Sequence, residues 1–253
     1  MKPFFTLFAR EVLSFFYSPI AYVVLFYFLL LTGYNFWSLV TGYSVMHIPV
    51  KTSLVEEFFK SAPFWFPFIL SFPLITMRVY SEEFRMGTIE TLTTAPVHDW
   101  QIVLAKFFGV LFFYCVLWAP SFCIFVLFEA WTGQAAVAAT GAYGSTYLLL
   151  LLIGAFFISI GCLASALTKD QINAATISFT TITLVVFASF LPLILNISAP
   201  PIRELFDYIS PMKHMKDYSE GLMDSRPLVW YSSMTVLVCY LTLQVFQFRK
   251  WKA

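Results

Sequence analysis

Long apolar segments alternate with short polar ones along the chain, and six of the apolar segments are long enough to cross a bilayer as helices. A spanning helix needs about 20 apolar residues, and in lipid its backbone groups must be paired within the spanning element. Strands are a poor fit because the segments are too long and lack strict polar–apolar alternation. The predicted spans are residues 20–40, 62–80, 102–128, 144–167, 172–195 and 228–248.

The second span is the least regular, because it contains Pro63, Pro67 and Pro73. Pro63 can occupy a first helical turn, whereas Pro73 removes an interior hydrogen bond and predicts a kink. Pro120 lies inside the third span. Pro73 and Pro120 are therefore predicted flex points of the helices that they interrupt.

Composition points to the same class of protein. Hydrophobic residues make up 60% of the chain and charged residues 11%, and the mean hydropathy is +0.80, far outside the range of soluble domains. A net charge of +1 and the lack of a basic patch argue against a nucleic-acid partner. The cysteines lie in apolar runs without the spacing of a zinc site. The sequence predicts an all-α integral membrane protein with one transmembrane domain, residues 1–253.

Residues 1–18, ahead of the first span, show an amphipathic pattern. A polar residue recurs at every fourth position, opposite a face rich in phenylalanine; the polar positions are Lys2, Thr6, Arg10, Ser14 and Ser18. This pattern predicts a helix lying in the membrane interface, with Ser18-Pro19 as the corner before the first span. The alternative is that the segment simply extends the first span.

The distribution of basic residues predicts the orientation. The carboxy-terminal RKWKA is strongly basic, and the short loop 129–143 contains neither lysine nor arginine. Because basic residues favour the cytoplasmic side, both termini are predicted to be cytoplasmic. The outer loop 196–227 then lies outside, where its apolar stripe predicts short helices. These helices either cover an exit path as a lid or pack against the ends of the spans.

A dense polar segment separates the second and third spans. In the coupling loop, residues 81–101, Gly87 is placed to end one helix, and Thr88 to cap a short helix through about Thr93. Ala95-Pro96 stops that helix, and His98 or Asp99 starts the next one. This loop is more elaborate than a plain membrane turn, and it predicts a rigid knob that docks a soluble partner. The alternative is a set of ordinary solvated charges at the bilayer surface.

The segment ITMRVYSEEFRMGTIETLTTAPVHDWQIVLAK closely resembles the signature of type-2 ABC transporter permeases, nearest to their gliding-motility-associated (GldF-like) branch. The resemblance continues in SPIAY at 18–22, in the fourth span with its LTKDQ turn, and in YISPMKHMKDYSEGLMDSR at 208–226. His98 and Ala105 depart from the pattern, in which Ser and Gly are usual. The departures concern the start and the packing of the third helix.

The resemblance implies a coupling helix between helices 2 and 3, seated in a groove of a separate ATP-hydrolysing subunit. Its docking residues would be Glu82, Glu83, Arg85, Gly87, Thr88 and Glu90. A second, smaller cytoplasmic contact would use Lys169, Asp170 and Gln171. Permeases of this kind work as pairs, as homodimers or heterodimers, above two ATPase subunits that bind the ATP and magnesium. This chain would itself need no cofactor, although an auxiliary extracytoplasmic component is compatible with the resemblance.

Three rival chemistries fit the sequence less well. No Gly-Lys dipeptide occurs, so an ATP-binding P-loop is excluded. An intramembrane protease built on Glu82 and Glu83 would need histidine partners, and His47, His98 and His214 all fall in predicted loops. An ion-coupled carrier needs ionisable groups inside the membrane, and the predicted spans contain almost none. No enzymatic activity is therefore expected.

The sequence thus predicts a multi-pass permease subunit of an exporter-type ABC transporter in the bacterial inner membrane. The alternative is a membrane anchor or transmission subunit of an ABC-powered machine that moves no solute. In the fourth span, Gly154, Gly161 and Ser165 share one helical face. Such small residues let helices approach closely, either within the subunit or across a dimer contact.

Overall fold

The computed structural model describes residues 2–46, 54–88, 97–132, 142–194 and 200–252. Within these ranges the regular structure is helical and contains no β-strand. The helices are α1 (Lys2–Phe16), α2 (Pro19–Met46), α3 (Leu54–Lys60), α4 (Ala62–Thr76), α5 (Ser81–Met86), α6 (Asp99–Thr132), α7 (Ala142–Leu167), α8 (Gln171–Phe187), α9 (Leu191–Ile194), α10 (Pro200–Ile209), α11 (Pro211–Ser219) and α12 (Ser225–Lys252).

Six helical segments are long and apolar enough to cross a membrane, which confirms the all-α class and the predicted number of spans. They are Pro19–Tyr43, Ala62–Met86, Asp99–Trp131, Ala142–Leu167, Gln171–Phe190 and Ser225–Arg249. The third is 33 residues long, or roughly 50 Å at 1.5 Å per residue, against a hydrocarbon core of about 30 Å. One or both of its ends therefore extend beyond the core.

The fourth span, α7, forms the centre of the bundle. In its most apolar window 78% of the residues are buried, compared with 22% in the first and fifth spans and 17% in the sixth. A methyl group on Gly154 would lie 2.3 Å from the Tyr114 ring, and one on Gly161 would lie 2.1 Å from the Thr76 hydroxyl oxygen. The small-residue face of α7 therefore packs against α6 and α4 within the same subunit.

An aromatic row on α4 fills the space between α6 and α7. Phe64, Phe68 and Phe72 follow one another at four-residue intervals, with ring centroids 5.2 and 5.0 Å apart. Phe68 also lies 6.0 Å from Trp118 of α6, and Phe72 lies 5.2 Å from Phe157 of α7. Offset or edge-to-face pairs of this kind add about 0.5–1.5 kcal/mol each beyond their burial. They hold α4 against its neighbours, and the helix includes both Pro67 and Pro73.

The end of the bundle opposite α5 is covered by α3 and α11. The short helix α3 was not predicted, yet its Leu54, Val55, Phe58 and Phe59 are buried. The Trp65 indole N–H donates to the Phe59 carbonyl (3.1 Å).

The predicted outer loop contains helices, as its pattern indicated. His214 lies in α11, one of these short helices between the spans. Its buried imidazole Nδ1 lies 3.0 Å from the Tyr231 hydroxyl of α12. The Thr146 hydroxyl of α7 donates to the Tyr218 carbonyl (3.2 Å). α11 thus packs on the ends of two spans.

We predict that Gly154→Ala destabilises the protein by about 1–3 kcal/mol, the usual effect of overpacking a well-filled core. The Tyr114 ring has little room to move, since its hydroxyl donates to the Leu150 carbonyl (2.9 Å). The matched control is Gly33→Ala, where a methyl group meets nothing within 4 Å and the helix gains up to about 1 kcal/mol. Unfolding in SDS, followed by circular dichroism, measures both; equal stabilities would contradict the close packing.

Acidification should weaken the end of the bundle that carries α11, through protonation of His214. Burial, with a smaller contribution from Lys213, lowers the pKa of His214 to about 4 from 6.5. Between these values the unfolded chain binds a proton that the folded chain excludes, so stability falls by up to about 3 kcal/mol as pH drops from 7 to 4.

The matched variant is His214→Gln, which retains a hydrogen-bonding group without the titration. Burial raises the pKa of the nearby Asp217, which works in the opposite direction. The difference between wild type and His214→Gln therefore isolates the imidazole. SDS unfolding at pH 7, 6 and 5 should give a flatter profile for the variant, and identical profiles would refute the assignment.

Candidate functional site at the charged end of the bundle

Segments from four parts of the chain meet at one end of the bundle: α1, α5, the turn between α7 and α8, and the last turns of α12. The Arg249 guanidinium of α12 lies 4.7 Å from the centre of the Phe84 ring of α5. Arg249 also donates to the carbonyls of Leu167 and of Thr168 (3.4 Å for the latter). One arginine therefore bridges α5 and the turn between α7 and α8, the two segments that carry the predicted docking residues.

Local sequence explains how α5 forms. α4 ends at Thr76, the chain turns through Met77–Tyr80, and α5 runs from Ser81 to Met86. Gly87 ends it in the left-handed conformation, with φ 71° and ψ 2°, which confirms the predicted stop signal. His98 precedes α6, and its N–H donates to the Gln101 side chain (3.3 Å) as in a capping box. The helix start predicted at His98 or Asp99 is thereby confirmed.

The beginning of α5 is fixed by one buried hydroxyl from α7. Ser165 Oγ accepts from the N–H groups of Tyr80 (3.0 Å) and Ser81 (3.1 Å) and donates to the Met77 carbonyl (3.1 Å). The first N–H groups of a helix have no partner within the helix. The Ser165 hydroxyl supplies the missing acceptor from a neighbouring span, and these hydrogen bonds fix the position of α5 relative to the centre of the bundle.

Lys106 is the centre of a buried charge cluster. Its side chain is 2% exposed, and its Nζ lies 2.9 Å from Glu83 Oε1 and 3.3 Å from Glu11 Oε1. It also donates to the Val79 carbonyl (2.8 Å). Arg10 Nη2 joins the same carboxylates, 2.8 Å from Glu11 and 3.4 Å from Glu83. The cluster ties α1, α5 and α6 together.

The electrostatics of Glu11 follow from this arrangement. Burial by itself would raise the pKa of its carboxyl group, but the Lys106 ammonium and the Arg10 guanidinium outweigh burial and lower the pKa below its usual value. Glu11 is therefore ionised at neutral pH. The charge on Lys106 is balanced by carboxylates from two different helices.

A second ion pair continues the link toward the first span. Arg78 donates to Glu82 through Nε (2.8 Å) and Nη2 (3.1 Å), and through Nη1 to the Ser18 hydroxyl (2.6 Å). Ser18 lies at the corner between α1 and α2. Both glutamates of α5 are thus engaged by arginine or lysine side chains of the same chain.

α1 is a separate helix packed along α6. Residues 17 and 18 interrupt the helix before α2, so α1 does not simply extend the first span. Phe4, Phe8 and Phe15 pair with Phe108, Phe112 and Phe113, at centroid distances of 6.5, 6.2 and 5.1 Å. A methyl group on Gly109 would lie 2.9 Å from the Glu11 Cβ, so the glycine lets the two helices approach closely.

The predicted docking residues divide into two groups. Glu82 and Glu83 point inward, whereas Arg85, Gly87 and Thr88 are exposed at the tip of the segment. Glu90, Pro96 and the segment predicted as a short helix through Thr93 lie outside the described residues. In the second contact, Lys169 and Asp170 are exposed and Gln171 begins α8. Their role in docking a partner stays a prediction.

Sequence reasoning missed the inward-facing part of the site. The buried roles of Lys106, Glu11, Ser165 and Arg249 were not predicted. Lys106 is an isolated lysine on an apolar helix and Glu11 an isolated glutamate on an amphipathic helix, and such isolated charges can indicate a buried ion pair. Their partnership spans 95 residues, however, and no local pattern identifies it.

No group of three or more His, Cys, Asp or Glu side chains suited to a metal ion occurs in the part of the chain that is described. Residues 64–248 match the family described as ABC-2 family transporter protein. The chain belongs to the ABC-2 transporter family. It is a membrane permease subunit of an ABC transporter, and membership implies an ABC ATPase subunit as its partner. No curated protein sequence matches the chain.

We predict that Lys106→Met destabilises the permease by about 3–5 kcal/mol, because Glu11 and Glu83 lose their buried counter-charge. The triple variant Lys106→Met, Glu11→Gln and Glu83→Gln removes the charges together and should recover most of that loss. SDS unfolding of the two variants measures the effect. Equal losses in both would show that the charges are not coupled.

Proposed function

We propose that this ABC-2 permease subunit couples ATP hydrolysis in its ATPase partner to export of a substrate, and that the exposed tip of the α5 segment docks on that partner. The observation that carries this proposal is that the α5 segment has one side bonded to the rest of the bundle and one side exposed. Its inner side is joined to four other helices through Glu83, Ser81 and Phe84, while Arg85 and Gly87 remain exposed. Because its inner side is fixed to four helices, the exposed tip can transmit a movement of the ATPase partner to the membrane helices.

The contacts define how a push would spread. Lys106 and Arg10 link α5 to α6 and α1, and Ser165 links it to α7. Breaking a buried ion pair leaves an uncompensated charge, so α5 should move together with the end of α6. The second and third spans would then tilt as levers, with Pro73 and Pro120 as flex points.

The charge distribution supports a cytoplasmic location for this end. Arg10, Arg78, Arg85, Lys169 and Arg249 gather here, as expected for the inner side of a bacterial inner membrane. Both termini would then be cytoplasmic, since α1 and the end of α12 belong to the same end.

A pair of permease subunits, identical or different, is the proposed functional unit. The outward faces of α2, α8 and α12 are largely apolar and little buried within the subunit. They are available to lipid or to a second permease copy, and the substrate path would form between the two copies.

The second candidate function is transmission without solute transport, in an ABC-powered machine. It is favoured by the resemblance of the segment around Glu82–Glu90 to the gliding-motility-associated branch. Reconstitution of the permease with its ATPase, assayed with lipid, peptide and polysaccharide cargo, separates the two. ATP-dependent cargo movement would support export, and its absence beside normal ATP turnover would support the machine.

We predict that the double variant Arg85→Glu and Thr88→Glu loses most co-purifying ATPase, roughly tenfold or more, because the reversed charge at residue 85 and the new negative charge at residue 88 place like charges together at the docking surface. Arg226→Glu is the control, since its side chain is 78% exposed at the opposite end and should change nothing. Unaltered association and ATP turnover in the double variant would refute docking at this tip.

A further inference from the structure

A cavity of about 360 Å³ opens between α1, α2, α4, α5 and α6, beside the charge cluster. This volume is at the small end of the range for ligand pockets, roughly 300–1,000 Å³. It suits the polar part of one amphiphile together with the start of its apolar chains. We propose that the cavity binds the headgroup of a membrane phospholipid that carries both a phosphate and a primary ammonium group.

The cavity lining is polar at one end and apolar at the other. Along α4, the apolar Leu74 and Ile75 lie about one turn before the charged Arg78; along α6, Phe113 lies about two turns beyond Lys106. On α2, Val24 is also further along the span than Ser18. The lining is therefore charged or polar near the end of the bundle and apolar deeper in the spans, as a phospholipid is.

The charges of the lining balance each other. Three cations and three carboxylates line the cavity: Arg10, Arg78 and Lys106, and Glu11, Glu82 and Glu83. A net-neutral lining of both signs fits a zwitterionic headgroup better than an anionic one. The planar arginine guanidinium is well suited to phosphate, and Arg78 and Arg10, which are partly exposed, are the groups placed to receive it.

Glu83 provides the recognition of an ammonium group. Its Oε1 contacts Lys106 and Arg10, whereas its Oε2 is buried without a hydrogen-bond partner among the described residues. A buried carboxylate oxygen without a donor requires an explanation. Glu83 lines the cavity, so a primary ammonium bound there would receive this oxygen as an acceptor once the carboxylate turns toward it, whereas a quaternary ammonium has no N–H to donate.

The test is native mass spectrometry of the purified full-length permease, equilibrated with mixed micelles of equal phosphatidylethanolamine, phosphatidylcholine and phosphatidylglycerol. We expect one phosphatidylethanolamine retained about tenfold over the other two, the size expected for a hydrogen bond to a charged group. No preference, or a preference for phosphatidylglycerol, would overturn the proposal.

Variants separate the parts of the site. Glu83→Gln should abolish the preference for phosphatidylethanolamine over phosphatidylcholine, and Arg78→Gln should lower retention of all three lipids. Ala21→Leu narrows the apolar end without touching a charge, so it keeps the proposal testable if a charge variant fails to fold; it too should lower retention of all three. Arg226→Gln is the control and should match wild type. Wild-type retention in the three site variants would overturn the assignment.

A soluble headgroup distinguishes the source of the ligand. Glycerophosphoethanolamine lacks the acyl chains, so at equal concentration it should not compete with the lipid. Competition by this compound would indicate a site for free phosphodiesters and refute the lipid assignment. The measurement uses the permease alone, so it stands or fails independently of the proposed docking of an ATPase.

Discussion

The arrangement at the charged end depends on one constraint, the burial of the Lys106 ammonium. An ammonium in a low-dielectric interior is tolerated only when opposite charges and hydrogen bonds surround it. Lys106 obtains these from Glu11, Glu83 and the Val79 carbonyl, which belong to α1, α5 and the turn before it. Satisfying this single charge therefore holds α1, α5 and the turn before α5 against α6.

The centre of the bundle obeys a different constraint, close packing without polar bulk. Gly154 and Gly161 bring α7 against α6 and α4, and one turn further on Ser165 uses the same closeness to bond the start of α5. The small residues of α7 thus have two roles. The glycines allow α6 and α4 to pack closely against α7, and Ser165 uses this closeness to bond the start of α5. A larger residue at either glycine would move the Ser165 hydroxyl away from the N–H groups at the start of α5.

Much of this could be predicted from local sequence. Apolar length gave the spans, glycine stereochemistry gave the end of α5, and capping chemistry gave the start of α6. The direction in which Glu83 points could not be predicted, because Glu82 and Glu83 look equally solvated until Lys106 and Arg78 are placed in space. The buried helix α3 was missed because Glu56, Glu57 and Lys60 make its segment polar, and only packing against α11 shows that its other face is apolar.

The inward orientation of Glu83 alters how the coupling segment should be understood. If both glutamates faced the partner, α5 would be a surface joined to the membrane part only by its backbone. Because Glu83 pairs with Lys106 and Phe84 packs under Arg249, the six residues of α5 form one rigid unit with α1, α6 and α12. A displacement of the exposed tip then either carries these helices with it or separates buried charges. Because separation is the more unfavourable outcome, a segment that the sequence alone places in a loop moves together with the spans.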